Sequence, residues 1–309
     1  MLNVQFSAPD DWWADYQTVL PQAFEEAGLD VRFCREMEPG DVDYLVFAAN
    51  GPVQDLTPYT KLRAILNLWA GVEEALENPT LTQPLVRMVD PGLTEGMVEW
   101  VVGHVLRHHL GMDGHILGQD GDWRKAAPPL ARDRRVTILG LGTLGAACAA
   151  ALADLNFAVT GWSRSAKEIP NVQCLSGAAT FGQALSTADI LVCLLPLTAE
   201  TENVLDAQAF AQMPEGSIVI NPGRGGHVND ADLLAALDSC QIAHATLDAF
   251  RVEPLDPNDP FWAHPRVTVT PHIASCTRPR SAARTIAKNI QRDLAGEPMS
   301  GLVDRALGY

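Results

Sequence analysis

Three polar residues with complementary chemistry each follow a short apolar run in the second half of the chain. Arg224 lies in the motif NPGRG, Glu253 in DAFRVEPL and His272 in TPHIA. A guanidinium can grip a carboxylate and polarise a neighbouring carbonyl, and an imidazole kept protonated by a carboxylate can deliver a proton. Taken singly, each residue is more often structural, as an Arg in a Gly-rich turn, an acid before proline or a His at a strand end. Together, beside a hydride donor, they predict carbonyl reduction.

A glycine-rich loop earlier in the chain predicts where the hydride donor would bind. An apolar run, Val136–Leu139, leads into G-x-G-x-x-G, and helix-forming alanines follow at once. Gly140 permits a tight turn, Gly142 lets the backbone approach a pyrophosphate, and Gly145 lets helix and strand pack closely. The alternative is a turn that merely packs a strand on a helix. The predicted cofactor residues of this loop are Gly140, Leu141, Gly142, Thr143, Leu144 and Gly145.

The end of the next predicted strand indicates which nicotinamide nucleotide is used. A carboxylate there would hydrogen-bond the ribose 2′-OH of NAD and repel a 2′-phosphate. Ser163, Arg164 and Ser165 stand there instead. An arginine with two hydroxyls is suited to the 2′-phosphate, so the sequence favours NADPH, with NADH as a second possibility. The alternative is that Arg164 is a solvated loop residue.

Two series of short apolar runs alternating with helical segments must position these residues. Such alternation predicts parallel sheets covered on both faces. Thr94 is predicted to cap a helix whose apolar positions recur with helical spacing from Met97 to Leu106. A polar stretch, Gly118–Arg135, separates the two series. The predicted strands of the first series are Leu2–Ser7, Val31–Cys34, Tyr44–Ala48, Ala64–Leu68 and, more weakly, Leu85–Met88.

The second series is more regular and predicts a doubly wound dinucleotide-binding domain. The last predicted helix, about Pro279–Leu294, has no strand after it and is expected to return to the first domain. The first domain is then discontinuous, covering residues 1–98 and 276–309, with the nucleotide-binding domain at 99–275. The predicted strands are Val136–Leu139, Ala158–Trp162, Val172–Leu175, Ile190–Leu194, Ser217–Asn221, Ala245–Leu247 and Val267–Val269.

The motifs NPGRG, DAFRVEPL and TPHIA, with the glycine loop, resemble the signatures of the D-2-hydroxyacid dehydrogenase family. Within it the chain looks most like the reductases of glyoxylate and hydroxypyruvate, on the segments WSRS from Trp162, LPLT from Leu195 and the ending Val303–Tyr309. The resemblance covers essentially the whole chain. It implies an α/β fold in which a Rossmann-type NAD(P)-binding domain is inserted into a flavodoxin-like substrate domain.

The resemblance also implies residue roles. Arg224 would bind substrate, Glu253 would be the partner acid and His272 the proton donor. NADPH-dependent reduction of glyoxylate to glycolate and of hydroxypyruvate to D-glycerate would follow, by a homodimer. Further cofactor contacts would come from Leu195, Pro196, Thr201, Pro222, Gly223, Asp248 and Ala274.

The segment NLWAGVE is similar to the substrate loop of the family. Backbone N–H groups of Ala70 and Gly71 would hold the substrate carboxylate opposite Arg224, and His272 would contact the carbonyl. Trp69 departs from the family pattern, where a smaller residue is common. A bulky side chain there favours a tight pocket for a two- or three-carbon acid, unless Trp69 is a core residue.

Other functions were weighed against this one. A corepressor-like protein that senses nicotinamide nucleotides would share the fold, although the compact chain lacks long polar tails for partners. A dehydrogenase of a larger 2-oxo acid is a second alternative. His104 and His108 have the spacing of a zinc pair but lack the Glu of H-E-x-x-H and an evident third ligand, so no metal is predicted. The sequence contains neither the G-x-S-x-G nucleophile elbow of hydrolases nor the G-x-x-x-x-G-K-[ST] motif of P-loop proteins.

Composition narrows the class of protein further. The chain has 309 residues, with 22 Lys and Arg against 38 Asp and Glu, a formal net charge of -16. Such a surface repels a phosphate backbone, so no nucleic-acid partner is expected. The six cysteines form no C-x-x-C pair, which suits a reducing compartment. With no signal-peptide pattern and no apolar stretch near ~18 residues, a cytoplasmic protein without a membrane partner is expected.

Overall fold

The computed structural model describes residues 1–123 and 125–308. Arg124, in the polar stretch between the two series, and Tyr309, the last residue of the segment Val303–Tyr309, lie outside the described residues. The chain forms two compact units. The first comprises residues 1–93 and 277–309, and the second comprises residues 94–276. Among the described residues, no helix has both the length and the apolar composition needed to cross a bilayer.

The first unit is built on a five-stranded parallel sheet with the order β2-β1-β3-β4-β5. This is the flavodoxin-like order, in which the strand order reverses between β1 and β3. β3 and β4 are buried along their whole length, as expected for strands covered on both faces. The strands are Leu2–Ser7 (β1), Val31–Cys34 (β2), Tyr44–Phe47 (β3), Ala64–Asn67 (β4) and Leu85–Val86 (β5).

Helices from both ends of the chain cover this sheet. They are Trp13–Tyr16 (α1), Val19–Glu26 (α2), Glu73–Leu76 (α3) and the final helix, Pro279–Leu294 (α11). α11 packs on α2, with Ala283, Ile286 and Ile290 fully buried. Gln291 donates from Nε2 to the carbonyl of Ala27 at 2.7 Å. The first unit is therefore completed by a helix from the far end of the sequence.

The long helix Pro91–His109 (α4) begins four residues earlier than a cap at Thr94 predicts. Asp90 caps it, because its Oδ1 accepts a hydrogen bond from the N–H of Leu93 at 2.8 Å, and Pro91 starts the first turn. The prediction that Thr94 is the N-cap is therefore wrong. Met97, Val101 and Val105 are buried in the core of the second unit.

The second unit contains a seven-stranded parallel sheet with the order β12-β11-β10-β9-β6-β7-β8. Read from β8, this is the doubly wound dinucleotide-binding order, extended by one strand. Two parallel-sheet α/β domains, the second inserted into the first, confirm the predicted fold class. The strands are Arg135–Leu139 (β6), Ala158–Ser163 (β7), Gln173–Ser176 (β8), Ile190–Cys193 (β9), Ser217–Asn221 (β10), Ile242–Leu247 (β11) and Val267–Val269 (β12).

Helices connect the strands of this second sheet and bury its two faces. The cores on both faces are dominated by Leu, Val, Ile and Ala side chains. These helices are Thr143–Asp154 (α6), Phe181–Ser186 (α7), Ala207–Gln212 (α8), Asp230–Asp238 (α9) and Pro260–Ala263 (α10). A short helix before the sheet, Met112–Ile116 (α5), buries none of its residues. Because every strand runs in the same direction, the loops that carry the predicted chemistry all leave the sheet at its carboxyl edge.

Candidate active site

The glycine loop turns sharply between β6 and α6. Gly140 has φ +96°, and a Cβ there would lie 2.5 Å from the carbonyl oxygen of Leu194. A Cβ on Gly145 would lie 1.8 Å from the carbonyl oxygen of Gly140, so helix and turn touch through backbone. A Cβ on Gly142, in contrast, would meet nothing within 4 Å. The loop is thus packed closely against backbone at Gly140 and Gly145. At Gly142, where α6 begins, it borders open space.

The side chains of the loop divide between core and surface. Leu141 is buried against Gly161, where a Cβ would lie 2.6 Å from the leucine Cδ2. Thr143 is exposed at the start of α6, and Leu144 is partly buried. Of the predicted loop residues, Leu141 therefore offers a ligand only its backbone.

The predicted 2′-phosphate segment forms a turn at the end of β7. Ser163 is buried, and its Oγ donates a hydrogen bond to the carbonyl of Ser165 at 2.7 Å. Arg164 and Ser165 are exposed. The hydroxyl of Ser163 therefore shapes the turn, while Arg164 and Ser165 present their side chains on its outside.

The loop after β9 is closed by a threonine. Thr201 donates from Oγ1 to the carbonyl of Pro196 at 2.7 Å and accepts from the N–H of Thr198 at 2.8 Å. Leu195 is buried. Thr201 therefore holds this predicted cofactor loop in shape from within.

Arg224 lies in a turn after β10 that two buried residues fix. Asn221 donates from Nδ2 to the carbonyl of Arg224 at 2.9 Å, and its Oδ1 accepts from the N–H of Gly223 at 3.2 Å. The N–H of Arg224 donates to Nδ1 of His227, which is fully buried. Pro222 and Gly223 are buried in the same turn. The sequence pattern does not single out Asn221 or His227, although Asn221 is the first residue of the NPGRG motif.

Glu253 and His272 form a hydrogen-bonded pair. Nδ1 of His272 lies 2.7 Å from Oε2 of Glu253, whose other oxygen accepts from the N–H of Phe250 at 2.8 Å. His272 has φ 52°, and its N–H donates to the carbonyl of Asp248 at 2.8 Å. Both carboxylate oxygens are therefore fixed, one by the turn and one by the imidazole.

The pair alters the pKa of both partners. The hydrogen bond to Glu253 raises the pKa of His272, and the charge of the carboxylate adds to it, against burial and the positive charge of Arg224. For Glu253, burial works upward, but the hydrogen bonds from His272 and Phe250 and the charges of His272 and Arg224 lower its pKa. The site therefore favours an imidazolium next to a carboxylate, with Arg224 close enough to affect both.

Asp248, a predicted cofactor residue, directs its carboxylate into the protein. It is fully buried, and Oδ1 accepts from Thr270 Oγ1 at 2.6 Å and from the N–H of Ile273 at 2.9 Å. Oδ2 accepts from the N–H of Ala274 at 2.8 Å. The carboxylate thus holds the segment that carries His272, and Ala274 takes part through its buried backbone.

The predicted substrate loop belongs to the first unit, at the carboxyl end of β4. The buried Asn67 donates from Nδ2 to the carbonyls of Trp69 at 3.1 Å and Gly71 at 2.9 Å. The N–H of Met88 also donates to the carbonyl of Trp69. Trp69, Ala70 and Gly71 are partly exposed. Trp69 packs edge-on against Trp12, with ring centroids 6.1 Å apart. Asn67, like Asn221 and His227, is a positioning residue that the sequence did not reveal.

The two helical histidines serve another purpose. His108 lies 2.8 Å from Oγ1 of Thr246, and its ring is 4.9 Å from that of His244. Burial lowers the pKa of His108 to about 3 and that of His244 to about 4, so both are neutral. His104 packs against Trp100 instead, with tilted rings whose centroids are 4.2 Å apart. Within residues 1–123 and 125–308, no group of three His, Cys, Asp or Glu is arranged to hold a metal ion.

The second unit fits a dinucleotide. Its glycine turn leaves open space in front of Gly142, and the N–H groups at the start of a helix face that space. The imidazole–carboxylate pair and Arg224 follow β10, β11 and β12 at the carboxyl edge of the same sheet, where doubly wound proteins bind ligands.

Comparison with known proteins agrees with this geometry. The model of the family "D-isomer specific 2-hydroxyacid dehydrogenase, NAD binding domain" matches residues 101–274. A glyoxylate/hydroxypyruvate reductase A from Serratia proteamaculans (strain 568) is 38% identical, with both chains covered completely.

Solved structures are similar over the whole chain as well. A D-isomer specific 2-hydroxyacid dehydrogenase from Xanthobacter autotrophicus Py2, in complex with NADPH and MES, has a TM-score of 0.92 at 39% identity, covering 100% of this chain and 99% of that one. An NADPH-dependent glyoxylate/hydroxypyruvate reductase from Sinorhizobium meliloti, in complex with NADP and sulfate, has a TM-score of 0.85 at 34% identity, with the same coverage. The chain therefore belongs to the D-isomer specific 2-hydroxyacid dehydrogenases, a family of NAD(P)-dependent oxidoreductases.

Proposed function

We propose that the protein reduces a small 2-oxo acid with NADPH, glyoxylate to glycolate and hydroxypyruvate to D-glycerate. The observation that carries this proposal is the 2.7 Å contact between Glu253 and His272, next to Arg224. It combines an imidazole whose pKa is raised by a carboxylate with the positive charge of an arginine that can bind a carboxylate. The names of the relatives from S. proteamaculans and S. meliloti support the choice of substrate.

In this mechanism, bound NADPH supplies the hydride. Arg224 binds the substrate carboxylate and polarises the neighbouring carbonyl. Nδ1 of His272 is engaged by Glu253, so the proton given to the carbonyl oxygen comes from Nε2. Glu253 stabilises the imidazolium before transfer, and the raised pKa of His272 retains that proton to a higher pH than an isolated imidazole does. A proton near the oxygen stabilises the negative charge that develops there as the carbonyl is reduced.

The first unit is proposed as the substrate domain and the second as the nucleotide domain. Backbone N–H groups of Ala70 and Gly71 are proposed to bind the substrate carboxylate. The hydrogen bonds from Asn67 give this loop a defined shape, which supports a binding role. The bulk of Trp69 favours two- and three-carbon acids over larger ones.

NADPH is proposed as the preferred cofactor because Arg164 and Ser165 stand exposed where a carboxylate would select NAD. The remaining residues proposed to contact or shape the cofactor site are the glycine loop, Leu195, Pro196, Thr201, Pro222, Gly223, Asp248 and Ala274. The NADPH and NADP bound in the relatives support this preference.

One assay tests substrate and cofactor together. We expect turnover of glyoxylate and hydroxypyruvate with NADPH, slower turnover of phenylpyruvate, and weak activity with NADH. Arg164→Ala should raise KM for NADPH about ten- to a hundredfold, the effect of a charge-assisted contact of ~1.5–3 kcal/mol, and leave KM for NADH unchanged. A chain that binds NADPH without reducing any 2-oxo acid would instead support the nucleotide-sensing alternative. Equal use of both cofactors would contradict the role of Arg164.

We also propose that two copies of the chain associate through the segment between α4 and β6. Several large apolar side chains are exposed there, and Trp123 is 94% exposed. Large apolar side chains exposed close together in sequence support an interaction surface in this segment. Light scattering of the wild-type protein should give the mass of a dimer. The double variant Leu117→Ser, Trp123→Ser should dissociate into monomers at a higher protein concentration than the wild type does. A monomeric wild-type protein would contradict the proposal. The exposed residues are Leu110, Met112, Ile116, Leu117, Trp123 and Leu130.

A further inference from the structure

Two loops of the candidate site touch through their backbones next to Arg224. A Cβ on Gly225 would lie 2.0 Å from the carbonyl carbon of Phe250 and 2.2 Å from the nitrogen of Arg251. Only glycine allows this approach, because a methyl group would displace one backbone or the other. The turn that carries Arg224 and the turn that leads to Glu253 are therefore in direct contact.

A third loop joins them from the neighbouring strand. The N–H of Asn203 donates to the carbonyl of Gly226 at 2.8 Å, and the N–H of Leu205 donates to that of His227 at 2.9 Å. A Cβ on Gly226 would lie 2.9 Å from Cδ2 of Leu197. The loops after β9, β10 and β11, which leave adjacent strands, thus form one packed layer at the carboxyl edge of the sheet.

The side chain of Arg251 bridges all three loops. Nη2 donates to the carbonyls of Val228 and Gly226 and to Oδ1 of Asn203. Nη1 lies 3.7 Å from Glu202, and Nε lies 3.7 Å from Asp230 at the start of α9. A guanidinium presents several donors in a rigid plane, so one side chain can fix several acceptors at once.

The turn held by Arg251 is the one that presents Glu253 to His272. Arg251 lies between Phe250, whose N–H donates to Oε1 of Glu253, and Glu253 itself. We propose that Arg251 is a positioning residue that fixes this turn and thereby keeps Glu253 in hydrogen-bond contact with His272. The inference rests on the proposed roles of Glu253 and His272, and Arg251 contacts neither in the described structure.

The direction in which the pKa of His272 changes when Arg251 is removed distinguishes a positioning role of Arg251 from a purely electrostatic one. The charged groups that act on His272 are Glu253, Arg224 and Asp248, and those that face Arg251 are Glu202 and Asp230. If Arg251 acted only through its positive charge, its removal would stabilise the imidazolium and raise the pKa of His272. If it positions Glu253, its removal weakens the hydrogen bond, and the pKa of His272 falls.

The experiment compares Arg251→Ala, Arg251→Lys and wild type in the full chain without substrate. The imidazole of His272 is titrated by NMR, with His272→Gln used to assign its signal. We expect Arg251→Ala to lower the pKa of His272 by about half a pH unit or more, and Arg251→Lys to restore part of the difference. Since this readout needs no turnover, it stays informative even if no 2-oxo acid is reduced and the proposed function fails.

Activity supplies a second readout. With glyoxylate and NADPH, kcat of Arg251→Ala should fall about three- to tenfold, and the basic limb of its kcat/KM profile should move to lower pH. Arg266→Ala is the matched control, because Arg266 also binds a backbone carbonyl, that of Leu237 at 2.6 Å, but lies before β12 at the other edge of the sheet. It should leave the profile unchanged. A lower Tm with an unaltered pKa of His272 would reduce Arg251 to a structural residue and overturn the proposal, and so would a raised pKa.

Discussion

The chemistry of the site rests on a single side-chain pair whose partners are 19 positions apart. Neither residue alone would be a convincing acid, since a carboxylate is ionised and a free imidazole is mostly neutral at pH 7. In the proposed mechanism their contact creates a proton donor, and it also explains why both pKa values move, one upward and one downward.

Replacing the proton donor should stop chemistry without preventing cofactor binding. We expect His272→Gln to lower kcat about 10²–10⁴-fold, the usual contribution of a positioned acid, with NADPH affinity retained in a fluorescence titration. His264→Gln is the matched control, because His264 also faces a carboxylate, Asp238 at 3.3 Å, outside the site. Nearly normal turnover by His272→Gln would exclude this residue as the donor.

Removing the acid partner should change the pH at which the enzyme works. The pKa of His272 is raised in the folded protein, so its protonated form is lost as pH rises through that raised value. In Glu253→Gln the pKa falls, and the basic limb of the kcat/KM profile should move to lower pH. The loss of rate should thus be smaller at acidic than at neutral pH. An unmoved basic limb would show that Glu253 does not control the protonation of His272.

At the scale of elements, two glycines of the turn between β6 and α6 have different roles. Gly145 allows helix and turn to pack closely, and Gly142 leaves space for the cofactor. Gly145→Ala places a Cβ 1.8 Å from the carbonyl oxygen of Gly140, so we expect about 1–3 kcal/mol of lost stability and a lower Tm. Gly142→Ala enters open space, so Tm should hardly change while NADPH binding weakens. Thermal unfolding and a binding titration of both variants provide the comparison. If both lose stability equally, the proposed division is wrong.

Periodicity and turn residues predicted most elements because strands and helices follow from local patterns. The strand bounds differ by a few residues at most, with β11 beginning at Ile242 rather than Ala245. The start of α4 was misjudged because Asp-Pro-Gly is also typical of a turn, and only the contact from Leu93 to Asp90 distinguishes a cap.

The candidate site also contains both residues that the sequence motifs predict and residues that they do not. The proposed chemical residues lie in short motifs, and Asn67 and His227 fix their own turns through hydrogen bonds to backbone two to four positions away. Arg251, in contrast, acts through tertiary hydrogen bonds to the loops of neighbouring strands. Such bonds depend on which loops the sheet order brings together. No spacing in the sequence encodes them.

At the scale of the whole molecule, the neutral histidines between α4 and the sheet should make the second unit sensitive to acid. The pKa of His108 is lowered to about 3 in the fold but is ~6.5 in the unfolded chain. Between these values the unfolded state binds more protons than the folded state. The free energy of unfolding therefore decreases as the pH is lowered, by about 1.4 kcal/mol per pH unit for this residue.

Thermal unfolding between pH 7 and pH 5 checks this expectation. The wild-type Tm should fall more steeply than that of His108→Gln, which cannot take up the proton. His115→Gln removes an exposed histidine of α5 and should follow the wild type. Parallel curves for all three proteins would mean that His108 does not control the acid response.

The return of the chain to its first unit has a consequence for biosynthesis. Tyr44 on β3 and Asp293 on α11 form a hydrogen bond across 249 positions of sequence, and α11 covers α2 with buried alanine and isoleucine side chains. While a ribosome is still making residues 94–276, the sheet of the first unit lacks this cover, because the helix that supplies it has not been synthesised. The inserted unit, whose segments are contiguous, can fold as soon as it emerges. The part of the protein translated first is therefore completed last, and until then its apolar face is the one that chaperones would have to protect.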